Sequence, residues 1–556
     1  MDNIEEKIEA AIDVTGGVVS NVQPFYLEKN QMYYFKNVSL DQLGARVRRA
    51  GCSSYGVGGV ECGGLAPWVY KDSTRYLVGY WDNDIYTTTG DYEWTKGNDA
   101  GVSIVTNHIL HGTFGQIYND TTTATFTSTA LFTHSVYPSS ADPTLSALSI
   151  LTENGQGTLQ ASMHPRSVEW WQGRLWAGGF AEPELGPDTI VWSTILNGWD
   201  FDLSNTVMID ANKGDEIMKI LPTRSEKPRM YVFKRHSIHA FDVVWTGGAQ
   251  IPTAENTIDA INSKTVILTN EIGTIAPNSV VYASGAGKSD VFFLSRDGVR
   301  SLDRVEQDTA GGVGPPLSEP IQDIIDRIHW AYADKATSAV YDHKLYMGIP
   351  VDGSTENNAT IVYDLLKKRW VGEYTLEPRD MIVYNFNNEG EKLLGAWEHS
   401  TSEQVGDTLE YTAGAHLFHF LDPTSQKDPS DTSYVYEEQT KAYTFGNMGA
   451  KKRWNWVDIE CTPTSTTITV TVSYKLDDQA YQPLASFDVE PSLVYPLLPS
   501  NLPWDFTNAE RVQKRLSLMD IDIGQTIQLK LWTDSPASFG TRTTRISAWP
   551  LHEAWE

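Results

Sequence analysis

TVMIDANKGDEIMKILPTRSEKPRMYVFKRHSIHAF, residues 206 to 241, is the stretch whose reading decides the fold. Two short apolar runs, Ile217 to Leu221 and Met230 to Phe233, flank a polar segment that contains Pro228. Lys234 to His236 interrupt, and the apolar and aromatic run resumes at Ile238. Short apolar runs punctuated by turn residues are the pattern of antiparallel hairpins, not of a helix or a catalytic loop. Similar hairpins recur on both sides, so the chain reads as a series of small sheets whose function is mainly shape.

Upstream, residues 75 to 95 alternate apolar and polar side chains about an Asp82-Asn83 turn, and the Thr-rich segment 103 to 135 also reads as strands. VEWWQGRLWAGG at 168 to 179 turns at Gln172-Gly173 and is followed by TIVWS and NGWDFD. Downstream, residues 280 to 302 form a hairpin with Asp297-Gly298 as its turn, and further hairpins occupy 338 to 374 and 381 to 398. Gly173, Arg229, Asp290, His343 and Glu391 mark equivalent turn-to-strand points, spaced by roughly 48 to 61 residues. Four-stranded propeller blades repeat every roughly 40 to 50 residues, so the intervals fit blades with longer loops.

The expected organisation is mainly β with a few short helices: an N-terminal helix and extended arm over 1–60, a β-propeller of repeated antiparallel blades over 61–400, a loop region over 401–432, and a C-terminal β-sandwich over 433–556. The helix rests on Ile4, Ile8 and Ile12, four apart within residues 2 to 13. A second helix is expected at 318 to 330, capped by Ser318, with Pro320 in its first turn and Ile321, Ile324, Ile325 and Ile328 as one apolar stripe. The sandwich rests on the Thr/Val alternation after Thr440 and on the closing segments QTIQLKLWTD and RTTRISAWPL.

Composition agrees with sheet: 26 Tyr, 18 Trp and 18 Phe outnumber 10 Met, and 43 Gly with 26 Pro supply turns. The formal charge of -28 argues against tight binding to phosphate backbones, which requires Lys and Arg to displace counterions. A surface that lets DNA pass without sticking would share that property. Cys52, Cys62 and Cys461 are too sparse for a disulfide framework or zinc cluster and read as reduced thiols of a protein assembled in a cytoplasm. The acidic N-terminus does not resemble a secretion signal, and no apolar run reaches the roughly 18 residues of a membrane span.

Chemical motifs fail when tested. GAGKS at 285 to 289 lacks the phosphate-loop glycine, with Tyr282 in its place, and is followed by VFFL where a helix is needed. Asp210, Asn212, Asp215 and Glu216 suggest a calcium loop, but its twelfth position is Leu221; a polar turn is favoured and an incidental cation near Asp210 stays open. His236 and His239 are three apart, on opposite faces of a strand, and cannot easily share a metal. SRDG at 295 to 298 reads as a tight turn rather than a sialidase Asp-box. Lys451-Lys452-Arg453, beside Trp454 and Trp456, reads as a solvated sheet edge, with contact to nucleic acid or an acidic partner as the alternative. No catalytic, cofactor or metal site emerges, and spacing selects no pair of carboxylates for glycoside chemistry.

The order of phrases carries further information. Asn37-Val38, Gly44, a basic segment and Gly51 lead to GRLWAGG, DTIVWS, NGWDFD, KGDEIMKILP, MYVFKRHSIHAF, EIGTIAPNSVV, DVFFLSRDGVRSL and LSEPIQDIID, then TKAYTFG and KKRWNWVDIE. In that order they resemble the β-propeller tail hub or nozzle proteins of short-tailed bacteriophages, over most of residues 25 to 475. The resemblance implies a non-enzymatic virion component: a homohexameric ring below the portal and adaptor rings, with a channel for double-stranded DNA and flanks that receive fibres or tailspikes. Residues 99 to 165 match the pattern poorly, and the acidic N-terminus is not a mark of the family. A propeller glycosidase or sialidase, and an adhesin whose Trp and Tyr stack on glycans, are the alternatives.

Overall fold

Two-residue links between short strands set the architecture. Gln172 and Gly173 both have positive φ, 52° and 71°, and connect Ser167–Trp171 to Arg174–Gly178. Asp342 and His343, at 46° and 57°, connect Thr337–Tyr341 to Lys344–Ile349 in the same way. Paired positive φ values match the twist of the flanking strands, which is why such turns make hairpins.

The computed structural model describes residues 8–12, 14–40, 45–57, 62–69, 75–81, 84–88, 95–96, 109–118, 126–135, 148–152, 155–158, 165–180, 185–194, 197–211, 213–223, 229–246, 258, 263–285, 288–308, 314–386, 390–399, 404–405, 409–410, 414–429, 433–445, 450–462, 466–490, 512–535 and 537–550. The protein is mainly β. Antiparallel sheets follow one another along the chain, beginning at Cys62–Val69, Ile109–Tyr118, Ser167–Trp171, Ile217–Pro222, Val281–Gly285, Thr337–Tyr341 and Asp380–Tyr384. They are called the first to the seventh sheet below.

The opening segment forms the fourth sheet as its pattern predicts. Ile217–Pro222 pairs with Arg229–Lys234, which pairs with Ile238–Asp242, and Lys264–Thr269 completes the sheet. Ile217, Ile220, Met230 and Val232 are fully buried against Trp176, Ile190 and Trp245 of the third and fourth sheets. Burying each such side chain contributes about 1.5–3 kcal/mol, which offsets the ordering of short strands.

Initial strands touch in succession. Cys62–Val69 lies against Ile109–Tyr118, then Ser167–Trp171, then Ile217–Pro222; Val281–Gly285 lies against Thr337–Tyr341, then Asp380–Tyr384, which returns to Cys62–Val69. Phe233 and Phe293, centroids 5.2 Å apart, join the fourth and fifth sheets. Polar ties fix the contacts: the Ile220 N–H donates to Ser167 Oγ at 3.2 Å, Ser338 Oγ donates to the Ser279 carbonyl at 2.8 Å, and Asp380 accepts from both Leu65 N and Thr337 Oγ1.

The seventh sheet is completed from the other end of the chain. Its order is Asp380–Tyr384, Lys392–His399, Gly414–Asp422 and Gly51–Val57. The expected loop region 401–432 therefore contains an interior strand, because AHLFHFLD within it has the alternation a buried strand needs, obscured by polar flanks.

The N-terminal reading is also corrected. Ile8–Ala11 is a strand, paired with Gly540–Pro550 through Ile8↔Ala548, whereas a helix was expected over 2–13; residues 2–7 and 13 lie outside the described residues. A four-residue spacing lies on one face of a strand as well as of a helix, and tertiary pairing selects the strand. Nor is 433–556 a separate unit. Tyr34–Lys36 sits between Arg369–Tyr374 of the sixth sheet and Tyr436–Gln439, extending one nine-stranded sheet through Ile527–Thr533 and Ile468–Leu476 to Gln482–Val489. The facing sheet runs Val512–Ser517, Lys452–Cys461, Gly540–Pro550, Arg46–Arg48, Val38–Leu40. Both share one core that includes Phe35, Val38, Tyr436, Trp454, Val457, Leu529 and Phe539.

At 318 to 330 the four isoleucines are buried as expected, but the helix is short: a 3-10 turn Glu319–Ile321 and an α segment Gln322–Asp326. Ser318 makes no cap; its hydroxyl accepts the Val299 N–H at 3.0 Å. A helix not foreseen occupies Leu302–Asp308. The hairpin turn expected at Asp297-Gly298 falls one residue earlier, since Ser295 pairs with Gly298.

Candidate functional site

Where initial strands begin, charged side chains gather. Arg166, one residue before Ser167–Trp171, meets Glu216, one residue before Ile217–Pro222, with Nη2 to Oε2 at 2.7 Å. Arg235 Nε donates to the other Glu216 oxygen at 2.5 Å. Burial alone would raise the Glu216 pKa, but the two guanidiniums outweigh it and hold the carboxyl below its ordinary range. Arg235 also lies close enough to act on Asp334, whose carboxyl is pushed up by burial. Beside it Glu356 is engaged by Lys335 and Arg379. Deeper, Asp380 is raised by burial while accepting from Thr337, Leu65 and Met381.

A carboxyl pair for glycoside chemistry needs one acid kept protonated and a second free to act as base or nucleophile. Glu216 and Glu356 are locked by cations, and Asp380 by hydrogen-bond donors. The arrangement holds sheets together; it does not present reacting groups.

The residues singled out in the sequence are placed as follows. Asp210 has φ 52° and pairs with Lys213 at 2.9 Å; Asn212 lies outside the described residues. Asp215 accepts from the His236 N–H at 3.0 Å and from Ser237 Oγ at 2.7 Å. These protein donors take the carboxylate positions that a cation would use, and among the described residues no cluster of His, Cys, Asp and Glu fits a metal.

His236 is exposed in the turn and His239 is fully buried on the strand, so they do not converge. Because Ser237 donates to Asp215, its contact at 2.9 Å with His239 Nε2 requires that nitrogen to carry the proton. Burial, then the nearby Lys234, lowers the His239 pKa from 6.5 and keeps the ring neutral. Lys234, also fully buried, donates to the Ile209 carbonyl at 3.0 Å.

In GAGKS, Gly285 pairs with Lys288 across a hairpin, and a strand follows. Of Lys451-Lys452-Arg453, Lys451 and Arg453 are exposed as expected, but Lys452 is interior, paired with Pro550 on one side and bridged to Gly524 on the other. Lys452 is buried and donates to the Ala450 and Gln525 carbonyls, so it cannot join a basic surface with Lys451 and Arg453. Trp454 is buried, and Trp456 lies under the Arg515 guanidinium, 4.3 Å from its centroid.

An open cleft of about 260 Å³ lies between the fourth and fifth sheets, lined by Tyr231, Tyr282, Asp290, Asp303 and Glu306 among others. Its groups have structural partners. Tyr282 donates to the Pro222 carbonyl, while Asp290 accepts from the N–H of Asp303 and from Ser301.

The arm holds a constellation whose chemistry the sequence did not reveal. Asn37, at φ 55°, accepts on Oδ1 from Arg49 Nε at 2.8 Å and Thr375 N at 2.9 Å, and donates from Nδ2 to the Val435 carbonyl at 2.8 Å. Arg46 reaches Glu438 at 2.6 Å with both side chains 1% exposed, and Arg49 pairs with Asp428. Arg48 and Arg49 both lie on the Tyr434 ring, 4.1 and 3.7 Å from its centroid. Contacts across 379 and 386 positions of chain, from Arg49 to Asp428 and from Arg48 to the Tyr434 carbonyl, make these arginines interior.

No protein-family description and no curated protein matches this chain. Solved structures similar to it include Raptor from Chaetomium thermophilum, 12% identical over 67% of this chain and 30% of that one, with a TM-score of 0.34. This chain thus spans 30% of the length of that protein. An exo-β-1,3-galactanase from Phanerochaete chrysosporium is 10% identical over 90% of this chain and all of the other, with a TM-score of 0.24. An exo-inulinase from Aspergillus awamori is 9% identical over 91% and 98% of the two chains, with a TM-score of 0.25. At these values none carries an argument about what this chain does.

Proposed function

We propose that this chain is a structural subunit of a bacteriophage tail, a nozzle or hub ring through which double-stranded DNA leaves the particle. In this reading the seven sheets form a β-propeller closed by Gly51–Val57, and the facing C-terminal sheets form a β-sandwich that borrows strands from the arm. Six copies make a ring in the virion tail, adjoining the portal and adaptor proteins and receiving fibres or tailspikes on its flanks.

One observation carries the proposal. The phrases that resemble these tail proteins fall, in order, on the third, fourth and fifth sheets, from GRLWAGG to DVFFLSRDGVRSL; all but EIGTIAPNSVV, which forms the link and 3-10 turn that lead into the fifth sheet, lie mainly on strands. The leading phrase, from Asn37 to Gly51, spans the arm strands Val38–Leu40 and Arg46–Arg48 and ends where Gly51–Val57 begins.

Physical features of the site support a conduit rather than a catalyst. The carboxylates where the sheets meet are engaged by cations and donors. Lys219 of the fourth sheet stands 3.7 Å from Glu169 of the third, a further cation–carboxylate contact between neighbouring sheets. The DNA path in this reading is the hole enclosed by the six copies. An acidic wall, consistent with the charge of -28, lowers adhesion to a polyanion. Native mass measurement tests the proposal: six chains of 62.0 kDa are expected, and a plain monomer that releases sugar from surface glycans would overturn it.

A further inference from the structure

The arm enters both parts of the molecule within a short length of chain. Tyr34–Lys36 joins the sixth sheet to Tyr436–Gln439, and Gly51–Val57 forms the final strand of the seventh sheet. Between these insertions lies the Asn37–Arg49 cluster. Arg49, whose side chain is fully buried, touches all sides at once: Asn37 in the arm, Thr375 after the sixth sheet, Asp428 after the seventh, and the ring of Tyr434 leading into the C-terminal sheets. Backbone bonds run in parallel, with Arg49 N donating to the Asn37 carbonyl at 3.0 Å, Cys52 N to Lys427 at 2.7 Å and Arg48 N to Phe539 at 2.7 Å.

We infer that the arm is a mechanical coupler: opening of the seventh sheet and detachment of the C-terminal sheets are one event. Drawing Gly51–Val57 out of the seventh sheet drags Arg49 from Asp428 and leaves that carboxylate buried and uncompensated. The same displacement removes Arg49 from Asn37, whose amide holds the Val435 carbonyl. Lifting the C-terminal sheets takes Tyr434 and Val435 away from the same three groups. Either motion therefore breaks the cluster as a whole, as expected of a connected buried polar network. The inference is independent of the tail reading.

Hydrogen exchange on the full chain tests it. In the unmodified protein, amides of Gly51–Val57 and of Tyr436–Gln439 are expected to exchange with the same opening free energy and the same dependence on denaturant. Asn37→Gly keeps the positive-φ backbone and deletes the four side-chain bonds, to Arg49, to Thr375 N and Oγ1 and to the Val435 carbonyl, so exchange in both segments is expected to rise by a common factor of about tenfold or more. Different opening energies in the unmodified protein, or acceleration of one segment with the other unchanged, would overturn the coupler. If Asn37→Gly does not fold, the comparison within the unmodified chain still decides.

Discussion

The Asp380 carboxylate accepts the backbone N–H of Leu65 at 2.8 Å, across 315 positions of chain, and its other oxygen accepts Thr337 Oγ1 at 2.7 Å. One buried side chain thus ties initial strands of the first, sixth and seventh sheets. Asp380→Ala leaves these donors unpaired in the interior at about 1–3 kcal/mol each, and a marked drop in Tm is expected. Asp380→Asn keeps one acceptor and loses the other, so its drop should be smaller. Equal melting of both variants and the parent would show that the contact does not hold the sheets together.

Two histidines, His239 buried and His419 partly buried, set an acid limit. Burial lowers the pKa of His239, reinforced by Lys234; burial also lowers that of His419, against an opposing effect of Asp422. A lowered folded pKa means that the unfolded chain takes up the proton first, so stability is present above the ordinary value of 6.5 and falls as pH drops through the folded value. Urea midpoints should decline below that pH, and His239→Gln should flatten the decline. An unchanged slope in the variant would show that His239 does not contribute.

Glu216 responds at lower pH. Its folded pKa lies below the ordinary 4.5 because Arg166 and Arg235 outweigh the effect of burial. Its contribution is therefore present above about that value and lost as pH falls through the folded pKa. Glu216→Gln should weaken the parent at neutral pH yet remove part of its acid sensitivity, which pH-dependent unfolding curves can separate.

Gly372 is needed where the arm approaches the sixth sheet. It has φ 137°, and a Cβ there would stand 2.6 Å from the Phe35 carbonyl oxygen. Gly372→Ala combines backbone strain with displacement of Tyr34–Lys36, and a loss of about 2–3 kcal/mol is expected by chemical denaturation. A variant as stable as the parent would mean that the arm does not pack this tightly.

Low adhesion to DNA is expected throughout. With a charge of -28 and Lys452 turned inward, the assembled protein should show no retention on double-stranded DNA at physiological salt, and Lys451→Glu with Arg453→Glu should change nothing. Tight, steeply salt-dependent binding would contradict an inert wall.

Much of the fold was legible because its signals are local. Gln172-Gly173 and Asp342-His343 sit between alternating runs, and the structure places hairpin turns there with positive φ. What was missed depends on partners distant in sequence. Ile8 joins a strand because Ala548 is there to pair with it, and Gly414–Asp422 becomes interior because Gly51–Val57 covers its outer side. Lys452 looked solvated beside Lys451 and Arg453 until the Gln525 carbonyl took its ammonium. The arm cluster was invisible for the same reason: the partners of Arg46, Arg48 and Arg49 are Glu438, Tyr434 and Asp428, all far along the chain.

Electron imaging of the purified assembly tests the central claim most directly. A six-fold ring with an open axial hole wide enough for duplex DNA is the result this account predicts. Isolated single chains, or a closed assembly with no passage along its axis, would contradict it.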